Sequence, residues 1–279
     1  MLVDFHAHVL PPTFQERRGD YLRRDGTFAA LFSNPKARVA TAEELLAAMD
    51  RAGIDVAVIM GYGWTDEEVA REANDYLLEC ADRNPRRLVA FCSVNPLWGE
   101  SALREIERCS AAGAQGIGEL HPDTQGLDIT DGQTMAPIMN VALERDLVVL
   151  THSSEPVGHA YPGKGQTTPQ KLYAFVQSFP RNRIVCAHWG GGLPFYALMP
   201  EVGESLSNVY FDTAATPFLY ESQVYSLAAQ AAGCNRILFG TDFPLIGYAR
   251  ALGQVRESGL EAEAQAKVLG ANAAVLLGL

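Results

Sequence analysis

Eight short apolar segments, each followed by a segment of helical period, constrain the fold of this 279-residue chain more than any other feature. Most are apolar on both faces, as is typical of parallel strands covered by helices on each side. In a chain of this length the alternation predicts an α/β fold, a single (β/α)8 TIM barrel domain over residues 1–279. The predicted strands are 2–8, 55–60, 87–94, 114–120, 147–152, 183–188, 208–213 and 236–242.

The connections between these strands carry local signals. Residues 41–44 (T-A-E-E) and 65–68 (T-D-E-E) match the capping box, in which Thr and a Glu three residues later satisfy free N–H groups at a helix start. Two connections are long, 9–40 after the first strand and 153–167 after the fifth. Long loops of this kind usually shape an active site or a subunit interface.

Composition limits the partners of the chain. With 33 acidic and 22 basic residues and a formal net charge of −11, it lacks the basic surface that binds nucleic acid or anionic membranes. No apolar run approaches the ~18 residues of a membrane span, and no signal peptide is apparent. The five cysteines include no C-x-x-C pair, which predicts free thiols and a cytoplasmic protein acting on a small molecule.

Ligand-type side chains cluster at the carboxyl ends of the predicted strands. In the first strand Asp4, His6 and His8 are expected to share one face, because side chains two apart point the same way. Taken alone, His-x-His more often indicates surface histidines on an edge strand than a metal site. Barrel enzymes place their chemistry at the carboxyl ends of the strands, so matching residues there predict a metal site. The further strand ends carry Glu119, His121, His152, His188 and Asp242.

This set of residues resembles the amidohydrolase superfamily, with His-x-His on strand 1, His on strands 5 and 6, and Asp on strand 8. The phrases C-A-H-W-G-G-G-L-P-F at 186–195 and F-G-T-D-F-P at 239–244 are similar to the branch called amidohydrolase family 2. That branch consists of metal-dependent hydrolases of the TIM-barrel fold and includes aminocarboxymuconate-semialdehyde decarboxylase. The resemblance spans essentially the whole chain.

The resemblance implies a metal site and two roles in proton transfer. One divalent ion would be bound, with zinc suiting the ligands and manganese, iron or cobalt also compatible. Asp242 would take a proton from metal-activated water and pass it to the leaving group, while His188 would orient the water or stabilise the substrate oxygen. The alternatives are a turn aspartate and a buried structural histidine. The implied metal ligands are His6, His8, His152 and Asp242.

Glu119 is open to two interpretations. Relatives with two metals often carry a carbamylated lysine on strand 4, but the segment G-I-G-E-L-H-P-D has no lysine. Glu119 could therefore accept a hydrogen bond from a ligand histidine, or it could bind a second ion. We expect a single metal, with Glu119 beside the ligands or facing the substrate.

Several further residues are candidates for substrate binding. His121 either points at the pocket or is simply the last residue of its strand. Trp189 precedes a run of three glycines, whose backbone N–H groups could approach the substrate or which could simply allow a tight strand-to-helix turn. The loop at 153–169 is either a lid over the pocket or an ordered surface loop. Its candidate substrate contacts are His159, Tyr161 and Lys164, with His159 or Lys164 pairing with a substrate carboxylate. Aromatic residues of loop 9–40 roof the pocket or pack against a second subunit, namely Phe14, Tyr21, Phe28 and Phe32.

Three functions are compatible with these features. The leading expectation is a metal-dependent hydrolase that cleaves a C–N, ester or lactone bond of a small organic molecule. The alternative is a metal-dependent non-oxidative decarboxylase of an aromatic or muconate-type carboxylic acid, whose ligand set can be identical. A non-catalytic metal-binding barrel is disfavoured by the presence of both Asp242 and His188. The sequence leaves the oligomeric state open, and a homodimer is compatible with the resemblance, because related barrels often dimerise.

Overall fold

The computed structural model describes residues 1–279 and confirms the barrel. Eight parallel strands pair in sequence order, each with the next, and helices surround them. The strands are β1 (Val3–His8), β2 (Val56–Met60), β3 (Leu88–Cys92), β4 (Gly116–Leu120), β5 (Val148–Thr151), β6 (Ile184–Cys186), β7 (Val209–Asp212) and β8 (Ile237–Leu238).

Backbone hydrogen bonds connect the segment after β8 to β1. Phe5 N donates to Phe239 O at 2.7 Å, and Asp242 N donates to His6 O at 2.9 Å. Further along, His8 N donates to Phe243 O at 2.7 Å. These bonds place Asp242 at the level of the two histidines of β1.

The helices lie outside the strands and in the loops at the barrel ends. The α-helices are Pro12–Glu16, Arg18–Arg24, Gly26–Phe32, Ala42–Ala52, Glu67–Arg83, Glu100–Ala111, Pro122–Gln125, Gly132–Glu144, Pro169–Ser178, Pro200–Ser205, Thr216–Leu219, Val224–Ala228, Tyr248–Arg256, Ala262–Ala266 and Asn272–Leu277. Short 3₁₀ segments are Pro96–Trp98, Leu193–Leu198 and Cys234–Arg236, and π-helical segments are Ala229–Gly233 and Lys267–Ala271. None of the helices is long and apolar enough to cross a membrane.

One of the two predicted capping boxes is present. Thr41 accepts from Glu44 N, and the Glu44 side chain accepts from Thr41 N at 3.0 Å. The predicted capping box at 65–68 is absent. The helix Glu67–Arg83 is instead capped by Asp66, whose side chain accepts from Val69 N at 2.9 Å. Thr and Asp are both good N-cap residues, so the sequence pattern alone does not decide whether Thr65 or Asp66 caps the helix.

The loop after β1 folds into three short helices around its aromatic residues. Phe14 stacks on Tyr21 with ring centroids 4.0 Å apart, and Phe28 and Trp64 pack against them, all fully buried. These rings therefore form an internal cluster instead of an open face, and Phe32 also lines the cavity described below.

Candidate metal centre and active site

A cavity of about 590 Å³ lies at the carboxyl ends of the strands and contains most of the predicted site residues. His6 is fully buried and contacts His8, which lines the cavity. Apolar side chains such as Phe32, Phe218 and Leu245 form other parts of the wall. The predicted residues that line the cavity are His8, Glu119, His121, His152, His159, Tyr161, His188 and Asp242.

His6 and His8 meet through their Nε2 atoms, which lie 3.0 Å apart. The Oδ1 atom of Asp242 lies 3.3 Å from His8 Nε2 and 3.9 Å from His6 Nε2. The three predicted ligands from β1 and the β8 loop therefore converge on a common point.

Asp4 does not join this group. The register of β1 shifts between Asp4 and Ala7, which breaks the simple alternation of faces. The carboxylate of Asp4 instead accepts from Thr241 N at 3.0 Å and Thr241 Oγ1 at 2.6 Å. Asp4 thereby holds the loop that carries Asp242.

Hydrogen bonding of the two imidazoles tests whether a cation fits here. His8 Nδ1 lies 3.1 Å from Gly61 O, and His6 Nδ1 lies 2.8 Å from Asp212 Oδ2. Both partners are acceptors, so each Nδ1 carries a hydrogen, and in the neutral tautomer of each ring the Nε2 lone pair points at the other Nε2. Two lone pairs and nearby carboxylates need a positive charge between them. The residues present thus fit a divalent metal ion.

The pKa of His6 also shows the effect of the surrounding negative charge. Burial lowers it, but the negative charges of Asp212, Glu119 and Asp242 outweigh burial and raise the pKa of His6 to about 10. Opposite charges at such distances favour the charged form of a buried group.

Glu119, at the end of β4, lies among four imidazoles. Its Oε1 is 3.1 Å from His152 Nδ1 and 3.5 Å from His188 Nε2, and its Oε2 is 3.6 Å from His8 Nε2. Burial raises the pKa of Glu119, but hydrogen bonds from His152 and His188 hold it well below its usual range. The side chain is therefore an anion, and its oxygens belong to both potential metal-binding trios, His6–His8–Glu119 and Glu119–His152–His188.

His152 and His121 stack, with ring centroids 4.1 Å apart. The Nε2 atom of His152 is buried and has no hydrogen-bond partner, which leaves it free to bind a metal ion. The Nε2 atom of His121 is likewise buried and unpaired, while its Nδ1 lies 3.0 Å from Thr124 Oγ1. Burial lowers the pKa of His121 to about 3, so this ring is neutral.

His188 follows β6 in a turn with left-handed backbone angles, φ 54° and ψ 48°. Its Nδ1 lies 3.2 Å from Ala214 O, and this contact turns Nε2 toward Glu119. Burial lowers the pKa of His188, but Glu119 and Asp242 outweigh burial and raise it to about 9. The two carboxylates beside His188 therefore favour the protonated form of its ring.

Two predicted substrate contacts, Trp189 and Lys164, form hydrogen bonds to other parts of the chain. Trp189 is fully buried outside the cavity, where its indole N–H donates to Thr216 Oγ1 at 2.9 Å. Lys164 donates to the carbonyls of Val157 at 2.6 Å and His159 at 3.0 Å, so its ammonium group stabilises its own loop. Neither arrangement was detectable from spacing in the sequence, because both depend on tertiary contacts.

Other contacts of the site were missed in the sequence. Tyr62 stacks on His8 at 3.9 Å between ring centroids, and Lys36 and Arg38 line the cavity. Asp212 contacts His6 from the end of β7. Its position at a strand end, within N-V-Y-F-D-T, was the available signal, since the other acids and histidines of the site occupy equivalent positions.

The fold and the site together define a (β/α)8 barrel with a histidine and carboxylate cluster that could bind a metal ion. The family model described as Amidohydrolase matches residues 3–279. The chain therefore belongs to the amidohydrolase family, as its motifs predicted.

Curated relatives of this chain are named as decarboxylases. It is 27% identical over 210 residues to 6-methylsalicylic acid decarboxylase of Penicillium expansum, a match covering 63% of each chain. It is 22% identical to 2-amino-3-carboxymuconate-6-semialdehyde decarboxylase of Dictyostelium discoideum, over 99% of this chain and 91% of the relative. The chain thus spans less than two thirds of the first relative and most of the second.

A solved structure with the same fold contains a metal ion. It is 5-carboxyvanillate decarboxylase of Novosphingobium aromaticivorans, complexed with manganese and 4-hydroxy-3-methoxy-5-nitrobenzoic acid. The TM-score is 0.82 at 19% identity, over 100% of this chain and 96% of the other. The leading expectation of a hydrolase was wrong: the relatives are consistently named decarboxylases. The ligand pattern could not separate the two reactions, because both use the same residues.

Proposed function

We propose that this protein is a metal-dependent non-oxidative decarboxylase of an aromatic or muconate-type carboxylic acid. The observation that carries the proposal is the agreement among the curated relatives, all named for decarboxylation of such acids. The cavity supports it, because aromatic and aliphatic side chains face the ionisable cluster and offer a flat ring an apolar wall.

The proposed metal site holds one divalent ion through His6, His8, His152 and Asp242. A bound ion supplies a Lewis acid that would orient the substrate and neutralise its negative charge. We expect manganese or zinc, with manganese favoured by its presence in the 5-carboxyvanillate decarboxylase structure. Glu119 then orients His152 by accepting from its Nδ1–H.

Decarboxylation leaves the electron pair of the broken C–C bond on the substrate carbon, which must gain a proton. His188 is suited to pass that proton through Nε2, because its Nδ1 is held 3.2 Å from Ala214 O and its Nε2 faces the cluster, 3.5 Å from Glu119 Oε1. Asp242 is the more accessible carboxylate, with 15% of its side chain exposed against 2% for Glu119. We assign proton transfer to His188 and Asp242 together.

The loop at 153–169 closes one side of the proposed substrate site. Tyr161 donates to Glu155 at 3.0 Å and lines the cavity beside His159. Asp123 anchors the end of this loop by accepting from Gln166 N at 2.6 Å and Thr167 Oγ1 at 2.8 Å. His159, Tyr161 and His121 are the proposed substrate contacts.

The proposal is tested with the manganese-loaded enzyme and a panel of hydroxybenzoic and muconate-type acids in D₂O. Turnover should release one CO₂ and place one deuterium on the carbon that carried the carboxylate. Matched esters and amides serve as the comparison. Release of alcohol or amine from them, with no CO₂ from any acid, would refute the decarboxylase assignment.

A further inference from the structure

Asp212, at the end of β7, is a fully buried acid to which no role has yet been assigned. Its Oδ2 lies 2.8 Å from His6 Nδ1. Its Oδ1 accepts from His188 N and Ala214 N, each at 3.0 Å. One carboxylate thus contacts a proposed metal ligand from β1 and the backbone turn that presents His188.

We propose that Asp212 is the positioning residue that makes His6 a metal ligand and fixes the His188 turn. Its Oδ2 holds the imidazole hydrogen on Nδ1, which leaves the Nε2 lone pair of His6 for the ion. The inference rests on the proposed metal site and does not depend on which reaction the site catalyses.

The hydrogen-bond inventory around Asp212 supports this assignment. No lysine or arginine lies within ion-pair distance, so the imidazole is the one ionisable partner of this buried carboxylate. Two backbone N–H groups could be satisfied by a neutral side chain such as Asn or Thr. Burying an anion costs free energy unless its charge is compensated. Here the compensation comes from the N–H of the His6 ring and from the proposed metal ion that this ring would bind.

The second oxygen of Asp212 accounts for the unusual backbone of His188. Non-glycine residues avoid the left-handed region, which costs roughly 1–2 kcal/mol. The turn is held because His188 N and Ala214 N both donate to Oδ1. Asp212 therefore connects the position of His6 to the position of His188, although the two histidines lie on different strands.

The substitution Asp212→Asn separates these two contributions. The amide oxygen can still accept from both backbone N–H groups, whereas the amide NH₂ then faces His6 Nδ1–H. Two donors cannot pair, so His6 should move its hydrogen to Nε2 and lose its metal-binding lone pair. Expected results are a Mn²⁺ dissociation constant raised about 10–100-fold and transfer of the His6 hydrogen from Nδ1 to Nε2 in ¹⁵N spectra.

Thr213→Val is the matched control, because Thr213 bonds the Gly240 backbone at the same strand end and contacts no imidazole. It should bind Mn²⁺ as the wild type does. Equal losses in both variants, or wild-type affinity and tautomer in Asp212→Asn, would overturn the proposal. Should Asp212→Asn fail to fold, the wild type decides alone: in the Zn²⁺-loaded protein, His6 with its hydrogen on Nε2 and none on Nδ1 would also overturn the proposal. Because none of these measurements uses turnover, they stand even if no acid is decarboxylated.

Discussion

The Oε1 atom of Glu119 lies 3.1 Å from Nδ1 of His152, and this contact sits at the centre of the four imidazoles. A carboxylate in that position orients a ligand and adds negative charge to the site. Replacing Glu119 by Gln keeps the shape and an acceptor oxygen but removes the charge. We expect a metal dissociation constant raised about 10–100-fold, measured by competition with a chromophoric chelator.

Elemental analysis of the same pair of proteins tests the number of ions. The wild type should contain one equivalent of metal per chain. Glu155→Gln is the control, because Glu155 contacts Tyr161 in the neighbouring loop and none of the site histidines. Two equivalents in the wild type, reduced to one in Glu119→Gln, would contradict the single-ion site.

The substitution His6→Ala should abolish stoichiometric metal binding. His6 and His8 present Nε2 atoms 3.0 Å apart, so removal of either ring leaves an incomplete ligand set. Metal content after dialysis is the measurement. His159→Ala, in an exposed part of the loop at 153–169, should retain full metal content. A His6→Ala protein with normal metal content would exclude His6 as a ligand.

Asp242→Asn should lower kcat by at least about 10²–10⁴-fold, the usual contribution of a general acid or base, because it also removes the charge of a proposed metal ligand. The fold should be retained, because Asp242 anchors the loop through its backbone N–H bond to His6 O, which the substitution leaves in place. CO₂ release measures the first effect and thermal unfolding the second. Near-normal turnover would rule out the role in proton transfer.

The barrel was predictable because its signals are local. Buried parallel strands appear as two-faced apolar runs, and candidate ligands such as His152 and Asp242 follow directly from the ends of those runs. The contact of Asp4 with Thr241 was not predictable, because it depends on a register shift in β1. The same holds for Asp212, whose partner His6 lies 206 positions earlier in the chain. Strand ends can be found from periodicity, but which side chains meet across the barrel depends on register and closure.

The reaction was misjudged for a different physical reason. A metal ion, an aspartate and a histidine can activate water or deliver a proton to carbon, and the residues are the same in both cases. What distinguishes the two reactions is the substrate held against the site. In this chain that depends on loop residues such as Phe32, Tyr62 and Phe218, whose convergence on the cavity has no periodic signal.

The final prediction concerns Asp25, which joins the loop after β1 to the loop after β2. This buried carboxylate accepts from Phe28 N and Thr65 N, each at 2.7 Å, and from Asp66 N at 2.9 Å. Asp25→Ala would leave several buried donors unpaired and remove a helix cap. We expect the free energy of unfolding to fall by about 2–4 kcal/mol, measured by urea denaturation.

Asp25→Ala should also raise KM, because the helix that Asp25 caps carries Leu31 and Phe32 in the cavity wall. Metal affinity should stay unchanged, since none of the proposed ligands lies in this loop. Asp20→Ala is the control: Asp20 forms only exposed ion pairs with Arg17 and Arg23, which typically contribute less than about 1 kcal/mol. If the Asp25 and Asp20 variants were equally stable and had the same KM, the loop would be held by its aromatic cluster alone.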